Sequence, residues 1–321
     1  MCTDEPIDVG NPTSASQPSQ DLLPAATDAP PVSLLVVARK RIPELDRLVG
    51  ALREIDGPPQ REIIVAVETP GTTTPTETRD AQGVRWIAIP ARRGLGYNRN
   101  RAFEAARGEI VFGIDDDCVP QPEWLTSLLD PFADPDVHGA VGSICIPAAG
   151  FLGDSISALG FPAGGTAGYA TMFRVDPDGT TDNIAAGNCA LRAATLRELG
   201  GFDESLTFGG EDTELAHRFN LAGRRIVFVP GAAIMHPART SLREFIRWLF
   251  VRGRAKRQFS RKVPIGKFVG LRLKSMGHIL QRHATDPKIV LIAPLLAATL
   301  VIQQAGFLAE AIAPTLPRTG E

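Results

Sequence analysis

Four short apolar runs in the first third of the chain constrain its fold more than any other feature. They are Val32-Ser-Leu-Leu-Val-Val37, Arg61–Val67, Val84–Ile89 and Glu109–Ile114. Stretches of helical period lie between them. Leu45, Leu48, Val49 and Leu52 repeat at the spacing of one helix face, and Tyr97–Ala106 reads as a second helix. Strands that are apolar throughout, rather than alternating, belong in a largely parallel sheet covered on both faces. Their alternation with helices makes the chain α/β, with a mixed, mainly parallel central sheet. In open sheets of this kind ligands gather beyond the carboxyl ends of the strands. Residues 137–192 depart from the pattern. Short strands, glycine-rich loops and an Asp176-Pro-Asp-Gly179 turn predict a partly antiparallel second half.

Two clusters of carboxylates stand out on this frame. The run Ile110–Ile114 ends in Asp115-Asp116-Asp117. Three acids at a strand end repel one another unless something neutralises them. A divalent cation bridging phosphate oxygens would do so, since Mg²⁺ and Mn²⁺ prefer carboxylate and phosphate oxygen. The second cluster, Phe208-Gly-Gly-Glu211-Asp212, opens a predicted helix over 211–222 whose buried face carries Leu215, Ala216, Phe219 and Ala222. Asp212 lies three and four residues before Leu215 and Ala216, so it points inward from the first turn. The helix N-terminus favours its ionised form.

Charge is distributed unevenly. Residues 1–31 carry five acids, six prolines and no Lys or Arg, and read as a disordered tail. Residues 239–288 carry fourteen Lys and Arg against two acids. A basic module after an acidic one points to a charged surface partner. The four cysteines show no metal-binding spacing and fit reduced thiols. No basic segment followed by an apolar one opens the chain, so no signal peptide is expected.

With both clusters placed, residues 32 to about 260 resemble a family 2 glycosyltransferase of the GT-A fold. The resemblance rests on Val32–Val37 with Arg61–Glu68, on Arg93-Gly94 through Arg99-Asn100, and on Ile114-Asp-Asp-Asp-Cys-Val-Pro-Gln-Pro-Glu-Trp-Leu125. Gly200-Gly-Phe-Asp-Glu204 with Gly210-Glu-Asp-Thr213 completes it. It implies an inverting transfer from a nucleotide-sugar donor to a hydroxyl acceptor, with Mn²⁺ or Mg²⁺ as cofactor. Asp115 and Asp117 are similar to the family's DxD pair. The resemblance implies that Asp117 ligates the metal, that Asp115 contacts the ribose or a metal-bound water, and that Asp116 belongs to the donor side. It makes Asp212 the general base and Glu211 and Asn188 acceptor-side residues. It also makes His236 a further metal ligand and Arg99 part of the nucleotide pocket. The chain departs from the family in two places. Val37-Ala-Arg-Lys-Arg41 replaces a Pro-Thr-Tyr-Asn-like opening, and the second strand ends Val67-Glu68-Thr69-Pro70 rather than Asp-Asp-Gly-Ser. Glu68 can still accept a hydrogen bond from a base or ribose.

The organisation expected is therefore a tail over 1–31, a catalytic domain over 32–240, a basic helical segment over 241–288 and an apolar helix within 289–321. Thirteen of the fourteen residues Ile289–Ile302 are apolar, shorter than the roughly 20 that a membrane span needs. Extended to Leu308 the run either spans or lies at the interface. The cations before it favour the cytoplasmic side of the cell membrane and an anionic membrane surface as partner. That setting suits a lipid-linked or growing glycan acceptor. Removal of 263–321 is expected to free the protein from membranes and to keep much of the activity. Glu244-Phe-Ile-Arg247-Trp248 resembles the QxxRW element of processive polysaccharide synthases, a match taken as chance because those enzymes carry several membrane helices. Two alternatives stand beside this reading: a nucleotidyltransferase of related fold, and a nucleic-acid-binding protein that uses the basic segment. The acidic middle and apolar tail speak against the latter, so no nucleic acid is expected.

Overall fold

The computed structural model describes residues 31–264 and 266–315. Apart from Pro31, the predicted tail lies outside the described residues. The catalytic region is one sheet with helices on both faces. In chain order its strands are β1 (Val32–Ala38), β2 (Arg61–Glu68), β3 (Thr76–Arg79), β4 (Arg85–Ile89), β5 (Ile110–Asp115), β6 (Val119–Pro120), β7 (Val137–Cys145), β8 (Thr180–Thr181), β9 (Asn188–Arg192) and β10 (Arg225–Met235). Helices α1 (Pro43–Glu54), α2 (Leu95–Ala105), α3 (Trp124–Leu129), α4 (Gly150–Ser157), α5 (Tyr169–Met172), α6 (Ala193–Glu198) and α7 (Glu211–Leu221) connect them.

The sheet order is β3-β4-β2-β1-β5-β9-β7-β10-β6, with β8 beside β10. β4, β2, β1 and β5 are parallel neighbours, as are β7 and β10. Antiparallel β9 joins the two blocks, pairing Ile114 with Asn188 on one side and Gly139 with Leu191 on the other. The carboxyl end of β5 therefore abuts the start of β9, and the acid triplet emerges beside the loop before Asn188.

Both faces are buried, which is why the strands are apolar throughout. In β1, Val32, Leu34 and Val36 enter one core with α1 and Trp124, Leu125 and Leu128 of α3. Leu35 and Val37 enter the other with Tyr97, Phe103, Leu215 and Phe219. This is the period of two expected of a strand, with each face finding its own helices. β3 was not foreseen. All four of its residues are exposed, so no apolar pattern marks it. Arg85 holds it through a carboxylate pair with Glu77.

Three further helices follow: α8 (Leu242–Phe259), α9 (Gly266–Arg282) and α10 (Ile289–Ile312). The Ser241 hydroxyl caps α8 by accepting from the Glu244 N–H. α10 runs beside α8 in the same direction. Phe245 and Leu249 pack with Leu295 and Leu296, and Gln258 donates to Glu310 farther along. The helices meet closely because both carry glycine at the crossing. A Cβ on Gly253 would collide with the Gln303 carbonyl, and one on Gly306 with that of Phe250. α9 returns between their ends, and Arg272 donates from it to the Leu159 carbonyl and the Thr299 hydroxyl.

Candidate active site

The site is assembled at the carboxyl ends of β5 and β10 and the amino end of α7. β5 carries Asp115 out of the sheet, where its N–H donates to the Gly187 carbonyl at 3.2 Å. A Cβ on Gly187 would occupy the Asp115 carboxylate, so this glycine makes room for the acid. The antiparallel pair of β6 with the end of β10 then brings the next acid to its partner. Asp117 Oδ1 stands 3.8 Å from His236 Nε2. His236 Nδ1 lies 2.8 Å from the Pro237 carbonyl, which can only accept, so Nδ1 carries the proton and Nε2 keeps a free lone pair.

Asp117, Cys118 and His236 offer atoms within 4.8 Å of one another, close enough for one ion. The Cys118 thiol is buried and pushed far up by that burial and by the neighbouring acids. It stays protonated and donates toward Asp117 at 3.6 Å. The available donors are then an oxygen and an imidazole nitrogen, a set suited to Mn²⁺ or Mg²⁺ better than to a thiolate-seeking metal. Asp116 is pushed up to about 6 by burial first, then by Asp117 and Asp115. That is the mutual repulsion expected of the acid triplet, and it marks a place where positive charge is wanted.

Arg99 joins the two acid clusters. With only 11% of its side chain exposed, it forms an ion pair with Glu211 and approaches Asp115 at 3.5 Å. Arg99 thus reaches the donor side through Asp115. Glu211, expected on the acceptor side, has a side chain 3% exposed and turned to Arg99. Burial pushes its carboxyl up, against the pull of Arg99. Asp212 points from the same turn toward the acid triplet, and its charge is felt at Arg99, Asp115 and Glu211. Its Oδ1 accepts from the Thr213 N–H at 2.7 Å.

The turn before Asp212 needs its glycines. Gly209 and Gly210 have φ of 105° and 91°, in the left-handed region that side chains avoid. A Cβ on Gly210 would strike Phe259 of α8. α8 also holds this turn through Gln258, which accepts from the Thr207 N–H at 3.0 Å, and through Arg254, stacked on Phe208 at 4.1 Å.

Two expected residues serve the frame. Asn188, expected on the acceptor side, pins the interior in this structure. It is fully buried, accepts from Trp124 Nε1 at 2.7 Å and donates to the Ser143 and Ala232 carbonyls. Glu68 sits at the end of β2, on the side where a nucleotide would lie, but both its oxygens accept from protein, one from the Arg92 N–H and one from Asn98 Nδ2. Sequence reasoning missed Gly187, Cys118, Arg239 and Arg252. Arg239 lies near enough to Asp117 to be stabilised by it. Its place three residues after His236 was the available signal.

Comparison with known proteins finds similarity to glycosyltransferases. The profile of "Glycosyl transferase family 2" matches residues 33–157, and that of "Glycosyl transferase family group 2" matches residues 110–302. A pre-mycofactocin glycosyltransferase of Mycobacterium tuberculosis is 28% identical over 229 residues, which cover 67% of this chain and 44% of that protein. The chain thus spans less than half the length of that relative. A glucosyl-dolichyl phosphate glucuronosyltransferase of Haloferax volcanii is 23% identical over 238 residues, covering 67% of this chain and 73% of its own. A mannosyltransferase of Pyrobaculum calidifontis, solved with GDP-Man and Mn²⁺, aligns with a TM-score of 0.57 at 19% identity. The alignment covers 88% of this chain and 86% of that one, a likeness of fold.

Proposed function

The chain belongs to glycosyltransferase family 2 and has its GT-A fold, and from that premise we propose that it transfers a sugar from a nucleotide-sugar donor to a hydroxyl acceptor with inversion. The observation that carries the reading is the convergence of Asp115–Asp117, His236 and Asp212 on one face, with Arg99 fixing the distance between the clusters. Asp117 and His236 would hold a divalent cation, Mn²⁺ or Mg²⁺. When bound it offsets charge on the leaving diphosphate. Asp115 and Asp116 face the donor beside it. Asp212 has Oδ1 engaged by Thr213, which leaves Oδ2 to take the acceptor proton as its oxygen attacks the anomeric carbon. A single displacement needs no carboxylate nucleophile.

The Haloferax volcanii relative acts, by name, on a dolichyl-linked substrate. With the basic segment and α10 beside the site, this supports a lipid-linked or growing glycan acceptor met at the cytoplasmic side of a membrane. α10 is the one helix among the described residues long and apolar enough to cross a bilayer. Its packing along α8 supports docking on the membrane rather than a lone span.

The test begins with thermal shift against nucleoside diphosphates and Mn²⁺, since a ligand bound only by the folded state raises its stability. With Asp212 as the base, Asp212→Asn should lose roughly 10²–10⁴-fold in turnover while binding donor almost as well, the pattern of a lost transition-state interaction. Steady-state kinetics and donor calorimetry read both quantities. If Asp212→Asn keeps more than about a tenth of turnover, the base lies elsewhere.

A further inference from the structure

α8 and α10 part toward their amino ends and leave a groove. Leu242, Phe245, Ile246 and Leu249 line one wall, and Leu291, Pro294, Leu295, Ala298 and Ile302 the other. No side chain in the lining carries a polar group. The groove follows α10 for about eleven residues, roughly 16 Å at the helical rise. Leu242 and Ile246 remain substantially exposed along it.

The groove leads to an unusual end. Phe245, which lines it, stacks on Trp248 with ring centres 6.0 Å apart. Over the Trp248 ring stand two guanidinium groups, Arg239 at 4.7 Å and Arg252 at 5.5 Å. Neither has a carboxylate within ion-pair distance among the described residues, and Arg239 Nε is buried without a hydrogen-bond partner. Each repels the other enough to be felt at Arg239. Arg239 feels the charges of Asp117 and Glu244 without forming an ion pair with either, so both guanidinium groups over this ring are free to take an anion, and planar guanidinium groups suit phosphate. Arg239 faces Asp117 on one side, while Arg252 lies beside Gly209 and is felt at Glu211 on the other. From the acid site outward, the order is catalytic carboxylates, arginine pair, aromatic ring, hydrocarbon groove.

We propose that this run of residues binds one molecule of a hydrocarbon-tailed phosphate, with the phosphate held by the guanidinium groups at Trp248, Arg239 first among them, and the tail in the groove between α8 and α10. The inference rests on the glycosyltransferase reading and names the carrier that presents the acceptor. An extended peptide does not fit, because its backbone would find no hydrogen-bond partner along an all-apolar lining, and an apolar helix face carries no anion for the arginines at its end. A flat membrane surface does not explain the site either. The outward residues of α10, Val301 and Leu308 among them, serve a surface, whereas the groove is concave and ends in charge.

The experiment is calorimetry on the full chain with farnesyl phosphate below its aggregation concentration, against farnesol and inorganic phosphate separately. Farnesyl phosphate should bind saturably and at least tenfold tighter than either part. Ala298→Trp, which fills the groove, should weaken it tenfold or more. Arg239→Gln, which leaves the groove open, should reduce it to the affinity of farnesol. Val301→Asn, on the outer face of α10, should bind as the parent does. Circular dichroism checks the fold of each. Equal affinity for farnesol and farnesyl phosphate overturns the arginine site, and undiminished binding by Ala298→Trp overturns the groove. A Val301→Asn loss as large as that of Ala298→Trp makes the effect a general apolar face and overturns both. No donor is present in this measurement. Failure to transfer sugar would leave a positive result standing, and sugar transfer to a soluble acceptor would survive a negative one.

Discussion

Arg99 does its work by position: one cation shared between a buried glutamate and an acid at the strand end. Removing it strands Glu211 without a partner, and breaking a buried pair costs about 3–5 kcal/mol. Arg99→Met should show that loss in urea unfolding, and Arg99→Met with Glu211→Leu should recover most of it. Equal destabilisation in single and double variants would mean that the pair does not hold the clusters together. The pairing was illegible in the sequence because its members lie 112 positions apart, whereas the acid triplet announced itself by standing directly after an apolar strand. Asp116 gives a prediction in pH. Its folded pKa, about 6, lies above the ordinary 3.8, so the folded state holds this proton more tightly than the unfolded chain does. Its contribution to stability is therefore favourable at low pH and is lost as pH rises from about 4 through 6. Asp116→Asn, measured without metal or donor, should raise Tm at pH 7 and leave it nearly unchanged well below pH 4, where both states carry the proton. A Tm difference that does not grow between those conditions would remove the repulsion argued for the triplet.

At the scale of elements, the strands and most helices were readable because a parallel sheet buried on both faces writes itself as apolar runs. β3, with sequence Thr-Glu-Thr-Arg, had no such mark. The larger surprise is α8. Read from sequence it was a basic stretch outside the catalytic domain, but its far half supports the Phe208–Gly210 turn through Arg254, Gln258 and Phe259. Those contacts depend in turn on α10, since Glu310 accepts from Arg254 at 2.7 Å and from Gln258 at 3.0 Å. Periodicity shows which face of a helix is buried, not which helix covers it. These contacts weigh against the expectation that removal of 263–321 keeps much of the activity. The truncated chain uncovers Phe245 and Leu249, each worth about 1.5–3 kcal/mol when buried, and releases the turn that carries Asp212. It should unfold at a lower temperature and keep less than about a tenth of turnover, the low end of what a displaced base costs. Glu310→Ala is the milder form, expected to cost about 1–3 kcal/mol by leaving its donors unpaired. Full turnover in the truncated chain would show that α8 holds the turn unaided.

For the whole molecule, acidic and basic regions occupy different parts of one body, with the apolar outer residues of α10 next to the basic helices. Such a surface should adhere to anionic membranes through both charge and apolar contact. Flotation with phosphatidylglycerol vesicles should carry the full chain upward at low salt, and less of it as salt screens the charge. Arg243→Glu with Arg247→Glu, both exposed on α8, should weaken flotation. A protein that stays at the bottom of the gradient with every vesicle would remove the membrane from this account. The glycine crossing of α8 on α10 then acquires a further meaning. Two helices in backbone contact cannot slide or tilt independently, and α8, at 18 residues, is about 27 Å long. One end of that strut adjoins the carboxylates and its flank lies against α10. With α10 at a bilayer, as flotation would show, the height of the reaction above the lipid would be set by the length of the strut, like a depth gauge, and a carrier whose hydroxyl stands at another height would be rejected before its chemistry is tested.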